Sequence, residues 1–342
     1  MMVHKYLLKT ILWVIIFAIG LFAGDLSKVG TVGGTQLLIP IGAKSIASGG
    51  AVVANVTGAE AIYWNPAGIV KVNNAEVMFN NMNYIADIEL NYLAAVLSMN
   101  AMGTLGFSLQ SLNFGDIEET TVELPDGTGR VYSPTFVVAS LSYGRYLTDR
   151  VIFGATGKYI FESIMQTKAS TLAFDLGIQY KFKEGLYLGV TMKNVGGKLR
   201  YDGRNLENQY PLPGKDIDVD EGYFRSIALP VDLPSLFSFG IAYERPIGEK
   251  NNIRLSSSFS NLNEGSDVLY GGIEYSFNNM FFLRGGYSRD VQTPMEDQLF
   301  GFTLGAGMVY NVGGFNIKLD YAFRQITQYF NPNNIFTLKI EL

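Results

Sequence analysis

Few residues in this chain are equipped for chemistry. Cysteine is absent and the single histidine is His4. Thiol nucleophiles, disulfide scaffolds and iron–sulfur sites are therefore excluded, as are histidine triads and nearly all zinc sites. No nucleophile elbow or metal cluster is present. Acidic pairs such as Glu118-Glu119 are solvated loop charge, and the glycine-rich stretch 301–307 lacks the strand–turn–helix context of a phosphate loop. No catalytic residue, metal or cofactor is expected, and the chain is not expected to be an enzyme. What stands out instead is backbone-shaping chemistry in two runs. One is the small-residue run 42–51, with Gly42, Ala43, Gly49 and Gly50. The other is Trp64-Asn65-Pro66-Ala67-Gly68. There Asn65 can hydrogen-bond backbone groups and Pro66 imposes a bend.

The elements that must hold those runs begin with an address. His4, Lys5 and Lys9 precede the apolar run Ile11 to Phe22, and Ala23 and Gly24 follow. The run is too short to span a bilayer, and the pattern predicts a secretory signal peptide over residues 1–23. No cysteine follows for lipid attachment. A cysteine-free exported chain fits a bacterial envelope. Only 17% of residues are charged, against roughly a quarter in a soluble domain, so the surface is short of charge. The net charge of −5 and the lack of a basic stretch argue against nucleic acid as a partner.

From residue 75 onward the chain alternates with a period of two. Leu172, Phe174, Leu176, Ile178 and Tyr180 share one parity, and Ala173, Asp175, Gly177, Gln179 and Lys181 the other. The stretches 299–310, with Phe300, Phe302 and Leu304 on the apolar parity, and 315–324 repeat the pattern. Successive strand side chains face opposite ways, so each segment has a greasy face and a polar one. A soluble sandwich alternates too, but these segments run about ten to fourteen residues, where ordinary strands average about five or six. A tilted strand crosses a bilayer in roughly nine to eleven. Aromatics at segment ends (Tyr143, Tyr180, Tyr243, Tyr310, Phe336) suit interfacial girdles. Charges on the polar parity, such as Lys158, Asp175, Arg254, Glu274 and Arg284, suit a lumen.

Fourteen such segments are legible, an even number as bacterial barrels require. Alternate connections are short, such as 100–102, 147–149 and 278–279, and the other set includes 115–133 and 197–232. That matches short periplasmic turns and long external loops. The connection at 86–87 is external by parity but very short. The last strand carries Phe336, Leu338, Ile340 and Leu342 on one parity. The expected fold is all-β: a transmembrane antiparallel barrel of about 14 strands over residues 75–342, in the bacterial outer membrane and in contact with its lipid.

Residues 24–74 do not alternate. Thr57 with Glu60 makes a capping box, predicting a short helix that stops before Pro66. The segment is too small to fold alone and is expected to tuck into the barrel as a hatch, or plug. A plugged lumen argues against a bulk porin.

The small-residue run 42–51, the Trp64–Gly68 motif and the fourteen strands together resemble the PorV/PorQ family, within the FadL-like class of outer-membrane barrels. Members of that class carry an N-terminal hatch with an Asn-Pro-Ala motif. The resemblance implies two different cargoes. PorV and PorQ are associated with type IX protein secretion and cargo handling, which implies secretion-system proteins as partners. The aromatics Tyr201, Tyr210, Tyr223 and Phe224 of the loop 197–232 are then candidate contacts. The alternative is passive uptake of hydrophobic small molecules such as long-chain fatty acids or hydrocarbons, as in the transporters of the class.

Overall fold

The computed structural model describes residues 30–211, 221–263, 265–327 and 330–342; the expected signal peptide, 1–23, lies outside the described residues. Fourteen long strands dominate among these. They are β1 (Ala75–Asn83), β2 (Glu89–Ser98), β3 (Thr104–Asn113), β4 (Thr135–Tyr146) and β5 (Val151–Ile164). Next come β6 (Thr167–Lys183), β7 (Leu186–Gly196), β8 (Leu236–Ile247), β9 (Asn251–Leu262) and β10 (Val268–Phe277). The last four are β11 (Phe281–Asp290), β12 (Phe300–Val312), β13 (Phe315–Ile326) and β14 (Asn333–Glu341). Every strand pairs antiparallel with its neighbours in sequence, and β14 returns to pair with β1, setting Phe79 opposite Leu338. The barrel is closed, which leaves no strand edge to be satisfied in lipid.

Alternation fixes which face meets lipid. In β6, Leu172, Phe174, Leu176 and Ile178 are exposed on the outer wall, while Ala173, Asp175 and Gln179 are buried inside. The rule breaks where a ladder slips: between β6 and β7, where consecutive Lys193 and Asn194 are both buried, and in β12. A register shift between Phe300 and Thr303 inserts an extra residue into β12. The bulge turns Phe300 into the lumen, where its ring lies 3.9 Å from the Arg324 guanidinium. The simple parity puts Phe300 on the lipid side, and the bulge corrects it, because an unpaired residue resets the facing of all that precede it.

Turn chemistry closes the short ends. Asn278 and Asn279 both have positive φ, and so do Ala86 and Asp87. Two consecutive left-handed residues match the right-handed twist of the flanking strands, so the 86–87 connection is a tight external hairpin. In the external loops Ile117–Glu118 pairs with Val131–Tyr132, and Glu207–Pro211 with Glu221–Arg225.

Residues 30–74 lie inside the barrel. They carry two short helices, α1 (Ala43–Ala47) and α2 (Ala61–Trp64), with 3₁₀ turns between and after them. Ile41, Ile46, Ile62 and Ile69 of this segment are buried against Met78, Met82, Leu90 and Ile335 of the wall. Each such side chain contributes roughly 1.5–3 kcal/mol. The segment is thus glued to the β1–β3 and β14 side by apolar packing.

Candidate functional site

The site is built where backbone meets backbone. Glycines on the inward parity let the inner segment touch the wall: Gly144, Gly154, Gly177, Gly189, Gly272 and Gly286. A Cβ at Gly154 would collide with the backbone of Pro66 and Ala67, and one at Gly189 with the backbone of Val53 and Ala54. Close approach of this kind admits only glycine. The Trp64–Gly68 motif sits at this belt. Asn65 ends α2 in extended geometry, as a residue before proline should, and Pro66 opens the following 3₁₀ turn.

Asn65 is the hub of the contact. It is fully buried. Its Nδ2 donates to Val53 O at 2.8 Å within the segment, and to Ile178 O at 3.2 Å and Val190 O at 3.4 Å on the wall. Its Oδ1 accepts from Ala67 N at 3.2 Å. One amide therefore ties the inner segment to β6 and β7. Gln179 of β6 adds Nε2 donations to Val53 O and Val56 O, at 3.3 and 3.1 Å. Trp64 Nε1 donates to Ile41 O at 2.7 Å and fastens the motif to the residue just before the 42–51 run.

The expected capping box does not form. Thr57 makes no side-chain cap bond. Glu60 instead accepts from Ser45 N at 3.0 Å and pairs with Lys339 of β14. Burial works to raise the Glu60 pKa, but the Lys339 charge and hydrogen bond outweigh it and hold the carboxyl below its ordinary value. Glu76 of β1 takes over the cap, accepting from Ala59 N at 2.7 Å. A tertiary ion pair thus overrides a local bond of smaller worth. Ala43 N donates to Thr337 Oγ1 at 2.8 Å, fastening the start of α1 to β14. Gly42 precedes it with φ +88°, where a Cβ would strike Glu60.

Below the inner segment the lumen charges pair across neighbouring strands. Glu244, Arg254, Glu274 and Arg284 stand directly opposite one another in register. They link at 2.7, 2.6 and 2.5 Å, and Arg284 reaches Asp320 at 2.6 Å. Lys44 of α1 points toward this band; burial lowers its pKa, with the Glu274 charge acting the other way.

Above the inner segment lies a cavity of about 270 Å³. Tyr63, Trp64, Tyr84, Tyr270 and Phe300 line it, with Leu38, Ile46, Val53 and Leu236. Two wall cations stand against these rings. Lys193 Nζ is 3.6 Å from the Tyr63 centroid, and Arg324 lies over Phe300 and donates to Asn333 Oδ1 at 2.9 and 2.6 Å. Among the described residues no carboxylate is within 4.0 Å of either. The cavity is rich in aromatic rings, with two cationic corners, and its remaining lining includes the polar residues Ser238, Ser260, Gln298 and Asp290.

Of the loop aromatics, Tyr201 turns inward: its hydroxyl donates to Glu162, which also accepts from Gln36 at 2.5 Å. Phe224 is exposed on its short hairpin. The side chains of Tyr210 and Tyr223 lie outside the described residues. The sequence reading missed the cavity residues Lys193, Tyr270, Phe300 and Arg324 and the glycine belt. The belt leaves a trace, glycines recurring on the polar parity near strand centres, but the cavity needs the register of seven strands.

Comparison with known proteins places the fold. The chain resembles the toluene transporter TbuX of Ralstonia pickettii with a TM-score of 0.57, 12% identity, and coverage of 88% of this chain and 98% of that one. It resembles the toluene transporter TodX of Pseudomonas putida with a TM-score of 0.53, 14% identity, and coverage of 88% and 96%. No family profile and no curated protein matches the chain. At these identities the likeness is one of fold. With its apolar outer wall and closed fourteen-strand circuit, the chain is an outer-membrane β-barrel that shares the fold of these two transporters. The likeness extends to the fold and does not carry the PorV/PorQ assignment.

Proposed function

We propose that the protein is a non-enzymatic outer-membrane conduit for hydrophobic small molecules, with residues 24–74 acting as its hatch. The observation that carries this reading is the aromatic cavity directly above the hatch, lined on one side by hatch residues Tyr63 and Trp64. A dry apolar cavity of about 150 Å³ holds benzene, so this one admits a substituted ring or part of an alkyl chain. The fold shared with two toluene transporters supports the same class of cargo. Lys193 and Arg324 give the cavity a place for the polar end of an amphipathic ligand, such as the carboxylate of a fatty acid. Asn65 and the Pro66 bend hold the hatch in its closed seat. A role in type IX secretion rests on the sequence resemblance alone.

Trp64 is the sole tryptophan beyond Trp13 of the signal peptide, so its fluorescence reports the cavity. Titration of the purified mature protein with toluene or oleate is expected to give saturable quenching or enhancement. The change should weaken when Phe300 or Tyr270 is replaced by alanine. A flat titration with both probes refutes the reading.

A further inference from the structure

The barrel wall does not stop where β7 does. Past Gly196 the chain keeps running beside β6. Gly197 N donates to Leu172 O at 2.9 Å, and Asp202 and Gly203 pair with Lys168 and Thr167. Leu199 is buried in a cluster with Leu37 and Ile160, and the Tyr201 hydroxyl donates to Glu162 on the lumen side. Alternation along the extended chain then puts Lys198, Arg200 and Asp202 on the outer side, and all three are exposed. Lys168 stands opposite Asp202, on the same parity of β6 as the lipid-facing Leu172 and Phe174.

This ledge sits just above the lipid belt. Leu172 is the last apolar residue on the outward file of β6, and Ser170 and Lys168 follow it toward the external turn. Tyr159 of β5 faces Leu172 in register and is exposed beside it. At about 3.3 Å per residue and a tilt of about 40°, Lys168 lies roughly 10 Å above Leu172. That is headgroup height rather than acyl-chain height.

The ledge is basic. Lys168, Lys198, Arg200, Arg204 and Arg225 are all exposed. Lys198 pairs with Asp232 at 3.0 Å, and Arg225 pairs with Asp202. Among the described residues no carboxylate lies within 4.0 Å of Lys168, Arg200 or Arg204. A second feature lies beside these cations. Leu199 bridges to Val231, and Ser226 N donates to Leu206 O at 2.7 Å, so the returning stretch 227–230 runs alongside 200–205. Its Ile227 and Leu229 are 74% and 81% exposed. The external hairpin 115–133 has the opposite character, exposing Asp116, Glu118, Glu123 and Asp126 against Arg130.

We propose that this ledge binds a phosphate-bearing lipid of the outer leaflet, of the lipopolysaccharide class, with its phosphate on Lys168, Arg200 and Arg204. The occupant follows from continuity with the lipid-facing wall. A ligand that spans the headgroup-level cations and the file of Leu172 and Phe174 below them has an anionic head above acyl chains. Guanidinium groups hold phosphate bidentately, and Ile227 and Leu229 give apolar contact next to that grip. A lipid held there braces the outer side of a segment whose inner side packs on Leu37 of the inner segment. The site does not depend on what the lumen carries.

The test uses the mature barrel in detergent and purified diphosphoryl lipid A, with bound lipid counted by native mass spectrometry across a titration. The triple variant Lys168→Gln, Arg200→Gln, Arg204→Gln should need at least tenfold more lipid for half-occupancy. Wild type should bind lipid A stripped of both phosphates as weakly as the triple variant binds the intact lipid, a comparison that needs no variant to fold. Ile227→Ser with Leu229→Ser should weaken binding of both lipids severalfold and leave the preference for phosphate in place. Arg130→Gln, on the acidic hairpin, should change nothing. All these positions are exposed, and an unshifted thermal unfolding curve separates loss of the site from loss of the fold. Half-occupancy of the triple variant within twofold of wild type, or equal binding of the intact and dephosphorylated lipids to wild type, overturns the proposal.

Discussion

Lys339→Met tests how the hatch is fastened. Lys339 is the wall partner of Glu60, both are almost completely buried, and Glu60 also holds the Ser45 amide at the start of α1. Removing one partner of a buried pair leaves an uncompensated charge and costs about 3–5 kcal/mol, partly relieved if Glu60 takes up a proton. At about 1.4 kcal/mol per tenfold, local opening of α1 should rise by roughly two to three powers of ten. The barrel ladder, held by its own hydrogen bonds, should not change. Hydrogen exchange of a peptide covering residues 42–50, corrected for intrinsic rate, reads this directly, with peptides from β4 and β5 as internal reference. Combining Glu60→Gln with Lys339→Met removes both charges and should recover most of the protection. A sign follows for pH. The folded Glu60 pKa lies below its ordinary value, so its contribution is complete above the ordinary carboxylate range and is lost as pH falls through the lowered pKa. Wild-type hatch protection should therefore fall in acid, and the double variant should be flat. If Lys339→Met changes exchange at 42–50 less than fivefold, the pair does not fasten the hatch.

Asn65→Ala removes a donor shared by three buried carbonyls, and should loosen the hatch by about 1–3 kcal/mol in the same exchange assay; Asn65→Asp, which sets a carboxylate among those carbonyls, should be worse. Gly154→Ala drives a Cβ into the Pro66 backbone and should cost about 1–3 kcal/mol or more, whereas Gly157→Ala on the same strand meets only the Phe174 ring at 3.7 Å and should be neutral by thermal unfolding. Lys71, at the end of the hatch, has its pKa lowered by burial to about 8. The unfolded state then binds the extra proton between about pH 8 and the ordinary lysine value near 10.4, so protection of the 66–71 turn should rise across that window, and Lys71→Met should abolish the rise.

Much of this molecule is written locally. Period-two alternation specifies the strands, because a strand in lipid must be greasy on one side at every other residue. Loop parity specifies the up-and-down order, and the pair Asn65-Pro66 marks where helix must stop. The runs 42–51 and 64–68 also stand out in the sequence, the first for its small residues and the second for its Asn-Pro bend. What the sequence misplaces are features in which a distant partner outbids a local one. Glu60 forgoes Thr57 for Lys339, 279 residues away, because a buried pair is worth more than a cap. Phe300 faces the lumen because a bulge, set by the pairing with β13, shifts its parity. The aromatic cavity belongs wholly to tertiary structure. Its walls come from the hatch and seven strands, and no spacing along the chain encodes which inward side chains meet at one height. Alternation says that Lys193, Tyr270 and Arg324 face inward; only the register, the closure of β14 on β1 and the seating of the hatch on its glycine belt bring them around one space.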